Sequence, residues 1–237
     1  PDDQVLFSAE LIRKFTKKPV REIAQRYIDY VVGATRPGVC AFGVGAARGA
    51  FETALKYASS TTMHGRLLVN HEWVQCMLAE MYKNVALGRL AYTEANYANS
   101  HRGIYRILQL KPAYYYFRLM PQAYFDTVLA PMLEKDFSGR IMGKLTFDWP
   151  RLEDQRCCSG WASLAKVAGT DIGVRNCQMA LELMGRTGLR QDAGAEKMLR
   201  DIKLLQIIDF WANGNGYVYD QAAALLDPDG EPQWKKL

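Results

Sequence analysis

Four stretches of the chain repeat their apolar residues at steps of three and four, and no stretch of similar length alternates apolar with polar side chains. That is the period of an α-helix, so the apolar stripes must be buried by packing helix on helix. The first stretch runs from about Arg36 to Tyr57, with Phe42, Ala46, Ala50, Thr53 and Tyr57 at helical spacing. Pro37 suits a first-turn position, where a missing N–H costs nothing, and Gly43, Gly45 and Gly49 leave room for a neighbouring helix. The second runs from about His71 to the Asn96 region on a stripe of Val74, Leu78, Met81 and Val85. The third, from about Asp154 to Met184, sets Trp161, Ala165, Ala168, Ile172, Met179 and Leu183 on one broad face, and Gly185 and Gly188 end it. The fourth begins near Ala195 and carries Met198, Leu205 and Ile208 towards Asp209. Asn213-Gly214-Asn215-Gly216 then interrupts it before a short segment through Leu226.

Long helices joined mostly by short breaks predict an all-α fold, an antiparallel four-helix bundle with extra helical insertions. Two stretches exceed a minimal bundle. Residues 1–33 read as a connector and an extra helix over Phe7 to Tyr30, broken at Lys18-Pro19, which leaves 34–237 as the bundle domain. An excursion over about 101–150, with Tyr114-Tyr115-Tyr116-Phe117, Pro121, Pro131 and Asp136-Phe137-Ser138-Gly139, is too long and too aromatic to lack structure of its own. It reads either as an apolar flap on the bundle or as a substrate lid.

Charge and cysteine usage narrow the function classes. The net charge of +5 is spread over the whole chain, which argues against nucleic acid and suits an anionic ligand. No apolar run approaches the roughly 18 residues of a membrane span. The opening Pro1-Asp2-Asp3 has neither an initiator Met nor a basic and apolar leader, so a processed chain and a fragment are both open. Five cysteines, including adjacent Cys157 and Cys158, form no metal or redox motif and read as reduced packing residues of a cytoplasmic protein. His64, His71 and His101 share no metal-ligand spacing, so no metal is expected.

Several motifs carry a resemblance. Thr35-Arg36-Pro37 with the Gly-rich helix after it, Leu55-Lys56-Tyr57-Ala58, and Gly65-Arg66-Leu67-Leu68-Val69-Asn70-His71-Glu72 followed by Met77-Leu78-Ala79-Glu80-Met81 are among them. Trp161-Ala162-Ser163-Leu164-Ala165-Lys166 and Glu196-Lys197-Met198-Leu199-Arg200-Asp201-Ile202-Lys203 complete the set, and the pattern runs without a gap from Trp161 to Asp209. Together with Pro1 to Leu6, which look like a connector from a β-barrel, these segments cover about half of the chain and resemble the C-terminal helical domain of the acyl-CoA dehydrogenases. The resemblance implies an FAD-dependent oxidoreductase of fatty acid metabolism. In that family a carboxylate takes the α-proton of an acyl-CoA, the β-hydride moves to the flavin, and electrons pass to an electron-transfer flavoprotein. It also implies an N-terminal helical domain and a β-barrel outside this sequence, so that this chain alone is incomplete as an enzyme. A homo- or hetero-oligomer assembled through the helical bundle is expected as well.

Carried over residue by residue, the resemblance puts the family's Tyr-Glu-Gly-Thr turn at Ile208, Asp209, Phe210 and Trp211. Asp209 becomes the candidate base, one methylene shorter than Glu, a change compatible with a bulky or cyclic acyl group; the other reading is a helix-terminal Asp that caps or pairs locally. Phe210 falls at a substrate position and Trp211 at a flavin position, where two large rings would reshape or block the pocket. His64-Gly65 stands for the family's Phe-Gly, Thr61 for its preceding Arg, and Glu182 for a Gln that meets the pyrophosphate of the partner subunit. Gly185-Arg186-Thr187-Gly188 replaces Gly-Gly-x-Gly, His71 and Glu72 match contacts to the adenine end, and Arg36 matches an acyl-CoA-binding Arg. Each is also readable as a polar residue at a helix terminus. A carboxylate at 182 and a lost Arg at 61 oppose an anionic pyrophosphate, and Arg66 or Arg186 are the candidates to compensate. The leading expectation is α,β-desaturation of an acyl-CoA with Asp209 as base. Two alternatives stand beside it. One is a non-catalytic or structural subunit of a heteromeric dehydrogenase. The other is a flavin-dependent hydroxylase or dehydratase on the same scaffold, to which the excursion through Pro121, Tyr124, Glu134, Asp136 and Gly139 bears a faint likeness.

Overall fold

The computed structural model describes residues 20–102, 106, 109–133, 144 and 151–208. Their helices are α1 (Val20–Ser60), α2 (Glu72–Arg102), α3 (Lys111–Leu119), α4 (Leu152–Met184) and α5 (Ala195–Ile207), with shorter turns between them. The described residues fall into two compact units, divided at 34/35, 96/97 and 160/161.

The larger unit is the expected bundle. Side-chain contacts fix its directions. Asn176 of α4 donates to the carbonyls of Ala47 in α1 (3.2 Å) and Met81 in α2 (2.9 Å), and accepts from Asn84 Nδ2 at 2.9 Å. Nearer the start of α4, Gly169 packs on Cys40, and in α2 Gly88 packs on Val44. So α1 and α4 run the same way and α2 runs against both. α5 runs against α4, because Ile202 lies over Gly173 while Gln206 reaches back to Lys166.

The core is built from small side chains. On α1 the buried positions are Cys40, Val44, Ala47, Ala50, Ala54 and Ala58, at steps of three and four. A Cβ on Gly43 would run into the Gly169 carbonyl group, and one on Gly169 would lie 2.8 Å from Cys40 Cα, so α1 and α4 meet backbone to backbone. Such contact gains dispersion over a long interface, which compensates for the little apolar area each small residue buries. The sequence stripe of α1 is therefore rotated from the observed one: Ala50 is buried, but Phe42 is 66% exposed. The stripe of α4 is corrected in the same sense. Ala165 and Leu183 are buried, but Trp161 and Ile172 flank a seam of Ala162, Gly169, Gly173, Cys177 and Ala180. On α2 the expected stripe is the buried one, Val74, Leu78, Met81 and Val85.

In the smaller unit α1 contributes Val20 to Ala34, and here a second expectation fails. Pro37 is not in a first turn; the helix runs through it from Val20 to Ser60. An internal proline supplies no N–H to the carbonyl four residues earlier, which is that of Gly33. Asn99 Nδ2 of α2, itself buried, donates to that carbonyl at 2.6 Å. The side chain replaces the missing backbone donor, so the helix continues where local sequence reads as a start. Beyond α2 the excursion does have structure: α3, then Gln122–Tyr124, a π-helical stretch Phe125–Leu129 and Ala130–Leu133. Tyr114, Tyr115 and Tyr116 are exposed on α3. The expected break at Lys18-Pro19 and residues Glu134, Asp136 and Gly139 lie outside the described residues.

Candidate active site

The candidate residues separate between the two ends of the larger unit. At one end, α1 passes into a hairpin, Thr62–Met63 paired antiparallel with Arg66–Leu67. His64 (φ 51°) and Gly65 (φ 76°) are its two central residues, both left-handed, as a two-residue type I′ turn requires. The Leu68 N–H closes the loop onto the Thr61 carbonyl at 2.7 Å. His71 Nε2 lies 3.2 Å from the Met63 carbonyl oxygen, so the imidazole braces the same hairpin, and Glu72 is exposed in the first turn of α2. At this same end α4 finishes at Met184. Gly185 (φ 51°) opens the turn Gly185–Thr187, next to exposed Glu182 and Arg186. The structure thus brings His64, Gly65, His71, Glu72, Glu182, Gly185 and Arg186 to one end of one bundle.

Those residues offer features an anionic group needs. Gly65 and Gly185 both have open space where a side chain would stand, so their backbones are approachable, and Arg66 and Arg186 are exposed beside them. Two exposed carboxylates, Glu72 and Glu182, oppose the same charge. An anionic group at this end would be met by the arginines and the open glycine backbones and opposed by the two carboxylates.

Arg36 lies towards the other end. It is fully buried, and its guanidinium donates to Ser163 Oγ on α4. One turn further along α4, Lys166 is 2% exposed, and its Nζ donates to the Gln206 carbonyl of α5 at 2.9 Å. Gln206 Nε2 in turn donates to Asp171 Oδ1 at 2.8 Å. A cleft of about 210 Å³ opens there, lined by Lys166, Thr170, Asp171, Lys203 and Gln206 among others. α5 then stops, Ile208 turning extended (φ −62°, ψ 150°). Asp209, Phe210 and Trp211 lie outside the described residues. Ser163 and Lys166 were visible in the sequence as part of a motif but not as site residues. The available signal was a lysine on the buried face of a helix, where a charge stays only if something holds it.

Four of the five cysteines are buried as packing residues, whereas Cys76, expected to pack as well, is exposed on α2. Burial pushes the thiols of Cys40 and Cys177 from an ordinary 9.0 up to about 11, and that of Cys158 up to about 12. Cys157 is raised as well, by burial first, with Arg102 pulling the other way. Neutral buried thiols are packing groups, not nucleophiles. Among the described residues no three His, Cys, Asp or Glu side chains gather as a metal site, and no helix is long and apolar enough to cross a membrane.

Comparison with known proteins places this bundle. The profile of the family described as "Acyl-CoA dehydrogenase, C-terminal domain" matches residues 26–107 and 149–209, more than half of the chain. The chain belongs to the acyl-CoA dehydrogenase family. The two matched stretches contain α2, α4 and α5 entire and α1 from Arg26 onwards, while most of the excursion falls in the gap between them. The chain is 21% identical over 178 residues to the Bacillus subtilis protein "Probable acyl-CoA dehydrogenase YngJ", covering 75% of this chain and 33% of that one. Among solved structures it is similar to a nitroalkane oxidase crystallised with spermine, a competitive inhibitor (TM-score 0.60, 18% identity, 88% of this chain and 37% of that one). It is also similar to butyryl-CoA dehydrogenase from Megasphaera elsdenii (0.54, 16%, 83% and 37%) and to a structure titled as an electron transferring flavoprotein of Acidaminococcus fermentans (0.53, 21%, 82% and 37%). These likenesses confirm the all-α bundle. The chain spans about a third of the length of the relatives it matches.

Proposed function

We propose that the chain is the C-terminal bundle of an FAD-dependent oxidoreductase that desaturates an acyl-CoA between its α and β carbons, with Asp209 as the base that takes the α-proton. The observation that carries this reading is the continuity of the family match through α4 and α5 to residue 209 itself, where a carboxylate stands. A nitroalkane oxidase among the structural neighbours supports an aspartate in such a role, since an aspartate of its active site was the one replaced by asparagine for study with a nitroalkane. The bound flavin supplies the hydride acceptor. This chain's own part is to hold the cofactor's anionic portion with Gly65, Arg66, Gly185 and Arg186, and to carry the base beyond α5. Electron-transfer flavoprotein is the proposed electron acceptor, and an oligomer is the proposed working state.

A second reading, a non-catalytic subunit of a heteromeric complex, draws on Arg36. Its guanidinium is fully buried against Ser163, a helix-to-helix contact as well suited to packing as to holding an acyl-CoA.

Anaerobic titration of the purified full-length protein with a series of acyl-CoAs separates the two. The expected result is a yellow protein whose flavin absorbance bleaches, with Asp209→Asn slowing the bleaching by about 10²- to 10⁴-fold, the usual worth of a positioned base. A protein without flavin overturns the first reading in favour of the second, and an Asp209→Asn variant that bleaches as fast as the wild type overturns Asp209 as the base.

A further inference from the structure

Within the excursion, α3 and the turns after it turn apolar side chains outwards. Leu110, Tyr114, Tyr115, Leu119, Phe125 and Val128 are all exposed, Leu119 by 74%. Single apolar residues scattered over a surface need no explanation, but a run of them in one short stretch does. The stretch falls in the gap of the family match, so it is an addition to the common bundle. α3 also lacks what holds a short helix together in water. It has nine residues, fewer than the roughly 12–15 at which an isolated helix becomes even marginally stable. Leu110 before it provides no side-chain cap, and Lys111 sets a cation at the positive end of the helix dipole. Arg118 donates to the Tyr114 hydroxyl at 3.0 Å, and a hydrogen bond between Tyr116 and Tyr124 joins the helix to the turn that follows.

Charge indicates what this surface meets. Basic residues occur all along the chain, but acidic ones are sparse here: from 103 to 133 the charged residues are Arg106, Lys111 and Arg118 against Asp126 alone, all four exposed. α3 itself has no acidic residue, and Lys111 and Arg118, seven apart, fall on one line along it. By the same spacing Tyr114 and Tyr115 stand to either side of that line. Cations bordered by tyrosines, with leucines beside them, suit the headgroup level of a bilayer. The cations meet anionic phosphates, the phenol rings sit at the interface with their hydroxyls in water, and the leucines reach the acyl boundary. A protein partner would have to take Lys111 into its contact, and interface cores are depleted of lysine.

We propose that the excursion is a lipid-binding element: α3 and the turns through Met132 lie in the interfacial layer of a bilayer rich in anionic phospholipid, and hold the protein there without spanning it. Lys111 and Arg118 supply the attraction to the headgroups. Leu119, Tyr115 and their exposed neighbours supply the apolar area that a water-exposed helix of this length would otherwise leave uncovered.

The test uses the full-length protein with vesicles of phosphatidylcholine alone or of phosphatidylcholine mixed equally with phosphatidylglycerol. Co-sedimentation should show binding to the mixed vesicles about tenfold or more tighter than to phosphatidylcholine, and weaker in high salt. Lys111→Gln combined with Arg118→Gln should weaken that binding by about 25-fold, about fivefold for each charge. Leu119→Ser should weaken it by about tenfold or more through lost apolar burial. All three side chains are exposed, so the fold is not at stake, and an unchanged melting midpoint checks it. Amide hydrogen exchange over residues 110–132 should slow when the mixed vesicles are added. Absence of binding to the mixed vesicles, or binding that none of these substitutions weakens, overturns the proposal. So does slow exchange over 110–132 before any vesicle is present, which would mean that protein already covers the stretch. A change of oligomeric state in Leu119→Ser would then identify a second copy of the chain as the occupant in place of lipid.

Discussion

The Gly33 carbonyl shows how one residue can be rescued by another far away in sequence. Pro37 deprives it of a backbone donor, and Asn99, sixty-six residues later, supplies one from a side chain. The two substitutions should therefore be coupled. Asn99→Ala in the intact protein leaves a buried carbonyl short of its donor, and should cost about 1–3 kcal/mol. In a Pro37→Ala background the alanine N–H can reach Gly33 along the helix, and the same Asn99→Ala change should cost markedly less. Denaturation midpoints of the four proteins in this cycle measure the coupling. An equal penalty in both backgrounds would mean that Asn99 acts through something other than the proline. Neither residue reveals the pairing in the sequence. A proline after Thr35-Arg36 carries the signature of a helix start, and only the tertiary partner turns it into an interior residue.

At the scale of helices, the seam between α1 and α4 decides what the sequence could and could not tell. The period was legible, and so was the existence of all four long helices, because a step of three and four survives whichever face is buried. The face itself was misread on α1. The apolar stripe of the sequence puts Phe42 in the core, whereas around Gly43 and Gly169 the two helices approach so closely that a side chain of that size has no room between them. Gly43 and Gly45, two residues apart, make the difference measurable. A Cβ at Gly43 meets the Gly169 backbone, which no rotamer change relieves, so Gly43→Ala should lower stability by about 2 kcal/mol or more. At Gly45 nothing lies within 4 Å, and Gly45→Ala should raise stability by up to about 1 kcal/mol through helix propensity alone. Thermal midpoints of the two variants, moving in opposite directions, check the seam. A loss at both positions would place the close contact elsewhere. For the candidate site, the hairpin and glycine turns could be found from the motif, because turn chemistry is local. The contact of Lys166 with Gln206 could not, since it joins residues forty apart on different helices.

For the bundle as a whole, the consequential fact is that its candidate residues stand at opposite ends. From Ser163, which holds Arg36, to Glu182 beside Arg186, α4 rises about 28 Å at 1.5 Å per residue. One copy therefore presents Gly65, Gly185 and Arg186 far from Arg36 and from the end where the last turn of α5 meets Lys166. If both sets serve catalysis in an oligomer, the Arg186 end of one copy serves the flavin whose substrate faces Asp209 of another. Shared sites of this kind can be reconstituted from two defective parents. An Asp209→Asn protein lacks the base, and an Arg186→Glu protein repels the pyrophosphate. Co-expressed with different tags and purified as a hybrid, the two should form one intact site, with Asp209 from one copy and Arg186 from the other. Its activity should be well above that of either parent and towards half that of the wild type. If each copy completes its own site, every site in the hybrid carries one defect and activity stays at the level of the parents. Hybrid activity per bound flavin thus tests whether the separation along α4 is bridged between copies, and a hybrid no better than its parents would confine each site to a single chain.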